Sequence, residues 1–142
     1  LLQALYPRGQ GVLDVATITK VDVDRFCGLE LDEWPARIAE TAVWMMDHLM
    51  NVRLSLAFGQ VYARIPLKKS PRIHHGDALE TAWEVVCPDG ADYVFGNPPF
   101  IGAKFQSDAQ RAQVRRIAAL PKTGGTLDYV TAWFLRAGEF VK

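Results

Sequence analysis

The chain has 142 residues, enough for one compact unit with a real core, and its 49% hydrophobic and 23% charged residues are ordinary for a globular protein. Sixteen basic and sixteen acidic residues cancel, which excludes the overall field that drives nonspecific binding to nucleic acids or membranes, so any such contact has to be local. Cys27 and Cys87 stand in no CxxC or Cys/His spacing and read as reduced core thiols, and His48, His74 and His75 have no partner at ligand spacing, so no metal site is assigned.

The chain opens on "LLQALY", without Met, as the tail of a helix over residues 1–7 closed by Pro7 and the turn signals Gly9 and Gly11. It stops inside the amphipathic pattern "LDYVTAWFLRAGEFVK", so both ends suggest a fragment. No signal peptide and no apolar run of bilayer length is present, which makes the cytoplasm the simplest compartment.

"RFCGLEL", residues 25–31, is short and apolar and predicts a first strand. Pro35 follows Asp32 and Glu33 at the start of a helix over 35–58, where Ile38, Ala42, Met45, Leu49 and Val52 share one stripe expected to face the core. "RIHHGDAL", residues 72–79, predicts a second strand ending in Gly-Asp, and "ETAWEVV" a weak helix or irregular crossover leading to a turn at Pro88, Asp89 and Gly90. "DYVFGNPP" predicts a third strand. "SDAQRAQVRRIAAL" predicts a helix with a Ser or Asp cap, broken by Pro121, Gly124 and Gly125, and residues 127–141 predict a last helix. Strands alternating with helices indicate an α/β fold, a parallel sheet with helices on its faces, in which ligands bind at the carboxyl ends of the strands.

Three such ends carry candidate residues. Glu30 ends the first strand, where a carboxylate can accept from both hydroxyls of a ribose, with Asp32 and Glu33 competing for the role. Asp77 ends the second, where it can accept from the exocyclic amine of an adenine with Ala78 and Leu79 covering the ring; Gly-Asp is equally an ordinary turn. At the third stand Asn97, Pro98, Pro99 and Phe100. Proline offers a carbonyl and no N–H, so Pro98 and Pro99 present acceptors without competing donors, and the Asn97 side chain adds a carbonyl oxygen. Two close acceptors grip both hydrogens of a conjugated –NH₂ and draw its lone pair out of conjugation, while Phe100 offers a flat face for the ring that bears it. The alternative is a turn after an edge strand, with Phe100 in the core.

On these motifs the sequence resembles the class I S-adenosylmethionine-dependent amino-methyltransferases, in particular the N6-adenine DNA methyltransferases, from residue 26 to the C-terminus. "GLELDEWPARIAETAVWMMDHLMN" looks like the acidic second-strand motif and its helix, "HGDAL" like the adenine-contact motif, and "DYVFGNPPF" like the catalytic Asn/Asp-Pro-Pro-Tyr/Phe motif. "NPPFIGAKF" with "LDYVTAWFLRAGEFV" is most similar to the methylase portion of large single-chain restriction-modification enzymes. The resemblance implies a Rossmann-like domain and S-adenosylmethionine as cofactor. Glu30 would hold its ribose and Asp77 its adenine amine, with Leu31 and Ala78 packing on that adenine. Asn97 and the Pro98 carbonyl would hold the target amine, with Phe100 stacked on an adenine flipped out of double-stranded DNA.

The family's glycine-rich first motif has no counterpart here, since "PRGQG" lacks the strand lead-in. By family topology the strand before that motif lies between those of Glu30 and Asn97. The resemblance therefore implies a partial domain, residues 1–142, missing its first central strand, which alone binds cofactor poorly and dimerises or leaves a sheet edge exposed. Lys104, Arg111, Arg115, Arg116 and Lys122 against Asp108 form a local basic stretch after the motif that can meet phosphates, or a solvated helix face. Arg64, Lys68, Lys69 and Arg72 read as solvated charge. Two other functions fit the motifs: a protein glutamine N5-methyltransferase, where the gripped nitrogen is a side-chain amide, and a noncatalytic DNA- or partner-binding module.

Overall fold

The computed structural model describes residues 21–59, 69–120 and 126–141, so the expected helix tail at 1–7, Arg64, Lys68, Lys122 and the Pro121–Gly125 break lie outside the described residues. Asp22 Oδ1 accepts from the Val23 N–H at 2.8 Å and caps a 3-10 turn, Val23–Arg25. Lys69 Nζ lies 3.0 Å from Asp22 and 3.1 Å from Asp24, so this lysine neutralises a structural pair of acids. The first strand, β1, runs Cys27–Glu30 within the expected 25–31. It pairs in parallel with β2, Arg72–His75, in the register Cys27↔Arg72 through Glu30↔His75.

A parallel pair needs a crossover, and the helix α1, Glu33–Phe58, supplies it and packs on both strands. Pro35 sits in its first turn, where a missing N–H breaks no hydrogen bond, and Glu33 lies at the positive end of the helix dipole. Gly59, at φ +67°, closes the helix in the left-handed conformation that glycine adopts without steric cost.

The expected core stripe of α1 is the wrong one. Ile38, Ala42, Met45, Leu49 and Val52 are all exposed, Met45 by 63%, whereas Ala36 and Asn51 are buried, with Val43, Asp47 and Leu54 half-buried between them. The helix is apolar on nearly its whole circumference, so spacing alone could not fix which face meets the strands. On the buried face Asn51 Nδ2 donates to Asp47 Oδ2 at 3.0 Å, and the Ser55 hydroxyl donates to the Asn51 carbonyl at 2.9 Å.

The chain divides into two compact units, Leu1–His75 and Gly76–Lys142, rather than the one that its length predicts. In the second unit Asp77 starts a tight turn: its carbonyl accepts from Glu80 N–H at 3.1 Å and Thr81 N–H at 2.8 Å. This is why β2 ends at His75, just before the expected Gly-Asp end. A short helix α2, Trp83–Val86, takes the place of the crossover, and Gly90 at φ +69° makes the expected turn. Helix α3, Asp108–Ile117, begins at Ser107 in a capping box with Gln110, and helix α4, Val130–Phe140, ends the unit. Its core joins Leu79, Val114, Tyr129 and Ala132, and Trp83 packs against Trp133 at 6.0 Å and Phe140 at 5.4 Å between ring centroids.

The third strand is not formed. Ala91 makes an isolated parallel bridge to Val141, and residues 93–102 carry no regular secondary structure. Tyr93 and Phe95 are 86% and 87% exposed, as residues of a strand would be if nothing lay beside it. Apolar composition supplies side chains for a strand, but the ladder requires a neighbouring backbone, and among the described residues none pairs with 93–97. Among the described residues no helix is long and apolar enough to cross a membrane, no disulfide links the two cysteines, and no metal-ligand cluster is formed.

Candidate functional site

In the first unit, Glu30 is the last residue of β1, level with His75 of β2, so the carboxyl ends of the two parallel strands lie together. Glu30 is half-buried, and among the described residues its Oε1 takes a long bond from the Asp32 N–H at 3.4 Å, which leaves its carboxylate able to accept from hydroxyls. Leu31, the next residue, is 64% exposed and presents an apolar face there.

In the second unit Asp77 is held by both oxygens. Oδ1 accepts from the Leu79 N–H at 2.8 Å and Oδ2 from Gln113 Nε2 at 3.1 Å. Each carboxylate oxygen has two lone pairs, so one on each remains for a donor such as an exocyclic amine. Leu79, expected to cover a ring beside Asp77, is instead buried in the hydrophobic core, because the turn that Asp77 initiates directs it inward. Ala78 is half-buried and its carbonyl accepts from Trp83 Nε1 at 2.7 Å.

The Asn-Pro-Pro-Phe segment is a loop without regular secondary structure rather than a strand end. Pro98 is buried, whereas Asn97, Pro99 and Phe100 are exposed, Phe100 by 73%. Phe100 is thus not the core residue of the turn alternative; its ring stands open to a planar partner. The loop is anchored just beyond the motif: the Ile101 carbonyl accepts from Tyr129 N–H at 3.0 Å and from Gln106 Nε2 at 3.0 Å. Gln106 is only 5% exposed and its Nε2 also donates to the Leu127 carbonyl at 2.8 Å, tying the loop to the start of α4. Sequence reasoning passed over Gln106, since a lone glutamine after an aromatic residue carries no local signal. Gln113 was missed as well, since a single glutamine inside a helical pattern carries no local signal either.

Of the basic residues, Lys104, Arg111 and Arg115 line one open groove with Gly102, Ala103 and Thr126. Lys104 Nζ lies 4.7 Å above the Phe105 ring, and Arg111 bonds Asp108 at 3.2 Å, so both are positioned yet solvent-facing. Arg116, expected to act with them, turns instead to Glu80, 2.6 Å away.

That pairing, with a further hydrogen bond from Gln113, holds the Glu80 carboxyl below the usual carboxylate range. A folded-state value below the unfolded one means that the contribution is present above the ordinary carboxylate pKa and is lost as pH falls through the folded value. Arg116→Gln should therefore lower the midpoint of thermal unfolding at pH 7, with the difference from wild type shrinking below about pH 4. Thermal scans from pH 7 to pH 3 check this; a constant difference would show that the pair contributes through packing rather than charge.

Taken unit by unit, Glu30 is a strand-end carboxylate suited to hydroxyl donors in the first, and Asp77 is a carboxylate with spare acceptor capacity beside the small apolar Ala78 in the second.

A protein-family model described as "MmeI, DNA-methyltransferase domain" matches residues 4–142. The chain is 32% identical over 127 residues to DNA methyltransferase A of Bacillus subtilis (strain 168), covering 87% of this chain and 14% of that protein. It also superposes with a TM-score of 0.78 and 38% identity on a solved structure of the Type IIL restriction-modification enzyme MmeI in complex with DNA, covering 98% of this chain and 19% of that one. The chain therefore spans less than a fifth of the length of either relative.

Proposed function

This chain belongs to the MmeI DNA-methyltransferase domain family, and from that premise we propose that it is part of the catalytic domain of a longer restriction-modification enzyme, an S-adenosylmethionine-dependent methyltransferase acting on adenine N6 in DNA. The observation that carries this reading is the motif loop: exposed Asn97 and Phe100 on either side of two prolines, anchored from behind by Gln106 and Tyr129. The likeness to an enzyme solved in complex with DNA supports DNA as the partner.

Asn97 Oδ1 and the Pro98 carbonyl accept the two N–H bonds of the target amine, which turns its lone pair toward the methyl donor. Phe100 stacks on the extruded adenine and partly offsets the few kcal/mol that unstacking costs. By the family resemblance, Glu30 would hold the ribose of S-adenosylmethionine and Asp77 its adenine amine, and Leu31 and Ala78 would be the residues that pack on that ring. When bound, the cofactor supplies the methyl group from its sulfonium. The unpaired segment at 93–97 supports a Rossmann-like sheet completed by a strand elsewhere in the longer chain.

Incubating the full-length protein with labelled S-adenosylmethionine, unmethylated DNA and release factor tests the reading. Label recovered in DNA as N6-methyladenine is the expected result. Label only in release factor glutamine would overturn the substrate, and none in either would leave a binding module.

Lys104, Arg111 and Arg115 meet DNA phosphates in the groove after the motif. Replacing both Lys104 and Arg115 by Ala should weaken binding on every DNA sequence alike. The slope of log K against log salt should fall by about 1.8, at about 0.9 per phosphate contact, in a salt titration. An unchanged slope would make this a solvated face.

A further inference from the structure

Gln113 projects from α3 into the turn that carries Asp77, and both its N–H donors and its oxygen are engaged. Its Nε2 hydrogens go one to Asp77 Oδ2 at 3.1 Å and one to Glu80 Oε1 at 2.7 Å. Its Oε1 accepts from the Tyr129 hydroxyl. A flipped amide would aim its oxygen at two carboxylates, so the orientation is fixed by charge. Tyr129 is 8% exposed, and burial, reinforced by the negative charges of Asp77 and Glu80, raises its hydroxyl pKa, so it remains the proton donor at neutral pH. Arg116, 2.6 Å from Glu80, in turn holds the second carboxylate of the network. The network links three separate pieces of the second unit: the Asp77 turn, α3 and the residue before α4.

Its consequence falls on Asp77. The Leu79 N–H fixes one carboxylate oxygen and Gln113 fixes the other, so the plane of the group is set and the remaining lone pairs keep one direction. We infer that Gln113, backed by Tyr129, is a positioning residue that sets the Asp77 carboxylate to accept an exocyclic amine, and thereby determines the selectivity of the cofactor site for a 6-aminopurine. The inference rests on the reading above in which Asp77 accepts from the cofactor adenine. Neither Gln113 nor Tyr129 touches the base in this scheme. Both act through Asp77, so their effect has to disappear when the base has no amine.

The test is calorimetric binding to the full-length protein of S-adenosylhomocysteine and of its analogue in which hydrogen replaces the 6-amino group. Gln113→Leu should weaken the first about tenfold, the size expected for one hydrogen bond to a charged group, and leave the weaker binding of the second within about twofold. Tyr129→Phe, which removes only the hydroxyl, should narrow the preference in the same direction by about threefold. It decides the question alone if Gln113→Leu does not fold. Equal losses for both ligands would mean that Gln113 supports only the fold, and an unchanged preference would mean that Asp77 needs no positioning; either overturns the inference. Asp77→Ala, which removes both acceptor oxygens, separates its failure from that of the underlying reading. If this variant keeps the wild-type preference, Asp77 does not read the amine and both fall. If it loses the preference while Gln113→Leu keeps it, only the role of Gln113 falls.

Discussion

Asn97→Ala in the full-length protein is expected to lower the turnover number for methyl transfer by about 10²–10³-fold, the loss seen when one group that stabilises developing charge in a transition state is removed. The structure leaves the Asn97 side chain exposed and its neighbour Pro98 buried, so truncation takes away an acceptor without opening a cavity. The loss should therefore fall on turnover, with DNA affinity and the unfolding midpoint little changed. Asn97→Asp keeps an acceptor oxygen in the same place, and the resembled family uses either residue at this position, so that variant should retain activity within about tenfold of wild type. Single-turnover kinetics with both variants decide the matter. Equal, near-complete losses would point to a steric role for Asn97, and a wild-type rate in Asn97→Ala would remove it from the chemistry.

The second large effect lies one residue earlier. A Cβ at Gly96 would stand 2.8 Å from Trp133 Cζ2, closer than such atoms approach, with Cε2 in contact at 3.4 Å. The Trp133 indole cannot simply swing away, since it packs on Trp83 at 6.0 Å and meets the Phe134 ring edge-on at 5.5 Å. Gly96→Ala should then cost about 1–3 kcal/mol of stability by overpacking. Because the clash can also be relieved by moving the loop, it should displace Asn97 and reduce turnover about tenfold or more; misplacement by about 1 Å costs on the order of 10²-fold. Combining it with Trp133→Phe, which deletes the colliding part of the indole, should restore part of both. Thermal unfolding and methyl transfer on the single and double variants measure this. Additive losses in the double variant would show that the contact with Trp133 is not the constraint.

The two sites differ in how far local sequence reveals them. Asn-Pro-Pro-Phe is legible because its chemistry is written in consecutive residues: two carbonyls without N–H donors and an amide oxygen beside a ring keep their meaning in any extended loop. The network of Asp77, Glu80, Gln113 and Tyr129 is not legible, since its members lie 36 positions apart in the case of Asp77 and Gln113. Only folding brings them together. Arg116 shows the same limit from the other side, for the basic stretch was visible but not the acid, Glu80, that withdraws one of its members.

By itself the sequence determined the elements whose causes are local. These are β1 and the start of β2, the long α1 with Pro35 in its first turn, the Ser107 cap of α3 and the turn at Gly90. What only the tertiary structure decided depends on neighbours. The face of α1 that meets the strands came out as Ala36 and Asn51 instead of Met45 and Leu49, because a helix apolar all round has no phase until something packs on it. Residues 93–97 stayed unpaired for the same kind of reason: alternation supplies the side chains of a strand, but its backbone hydrogen bonds have to come from another segment.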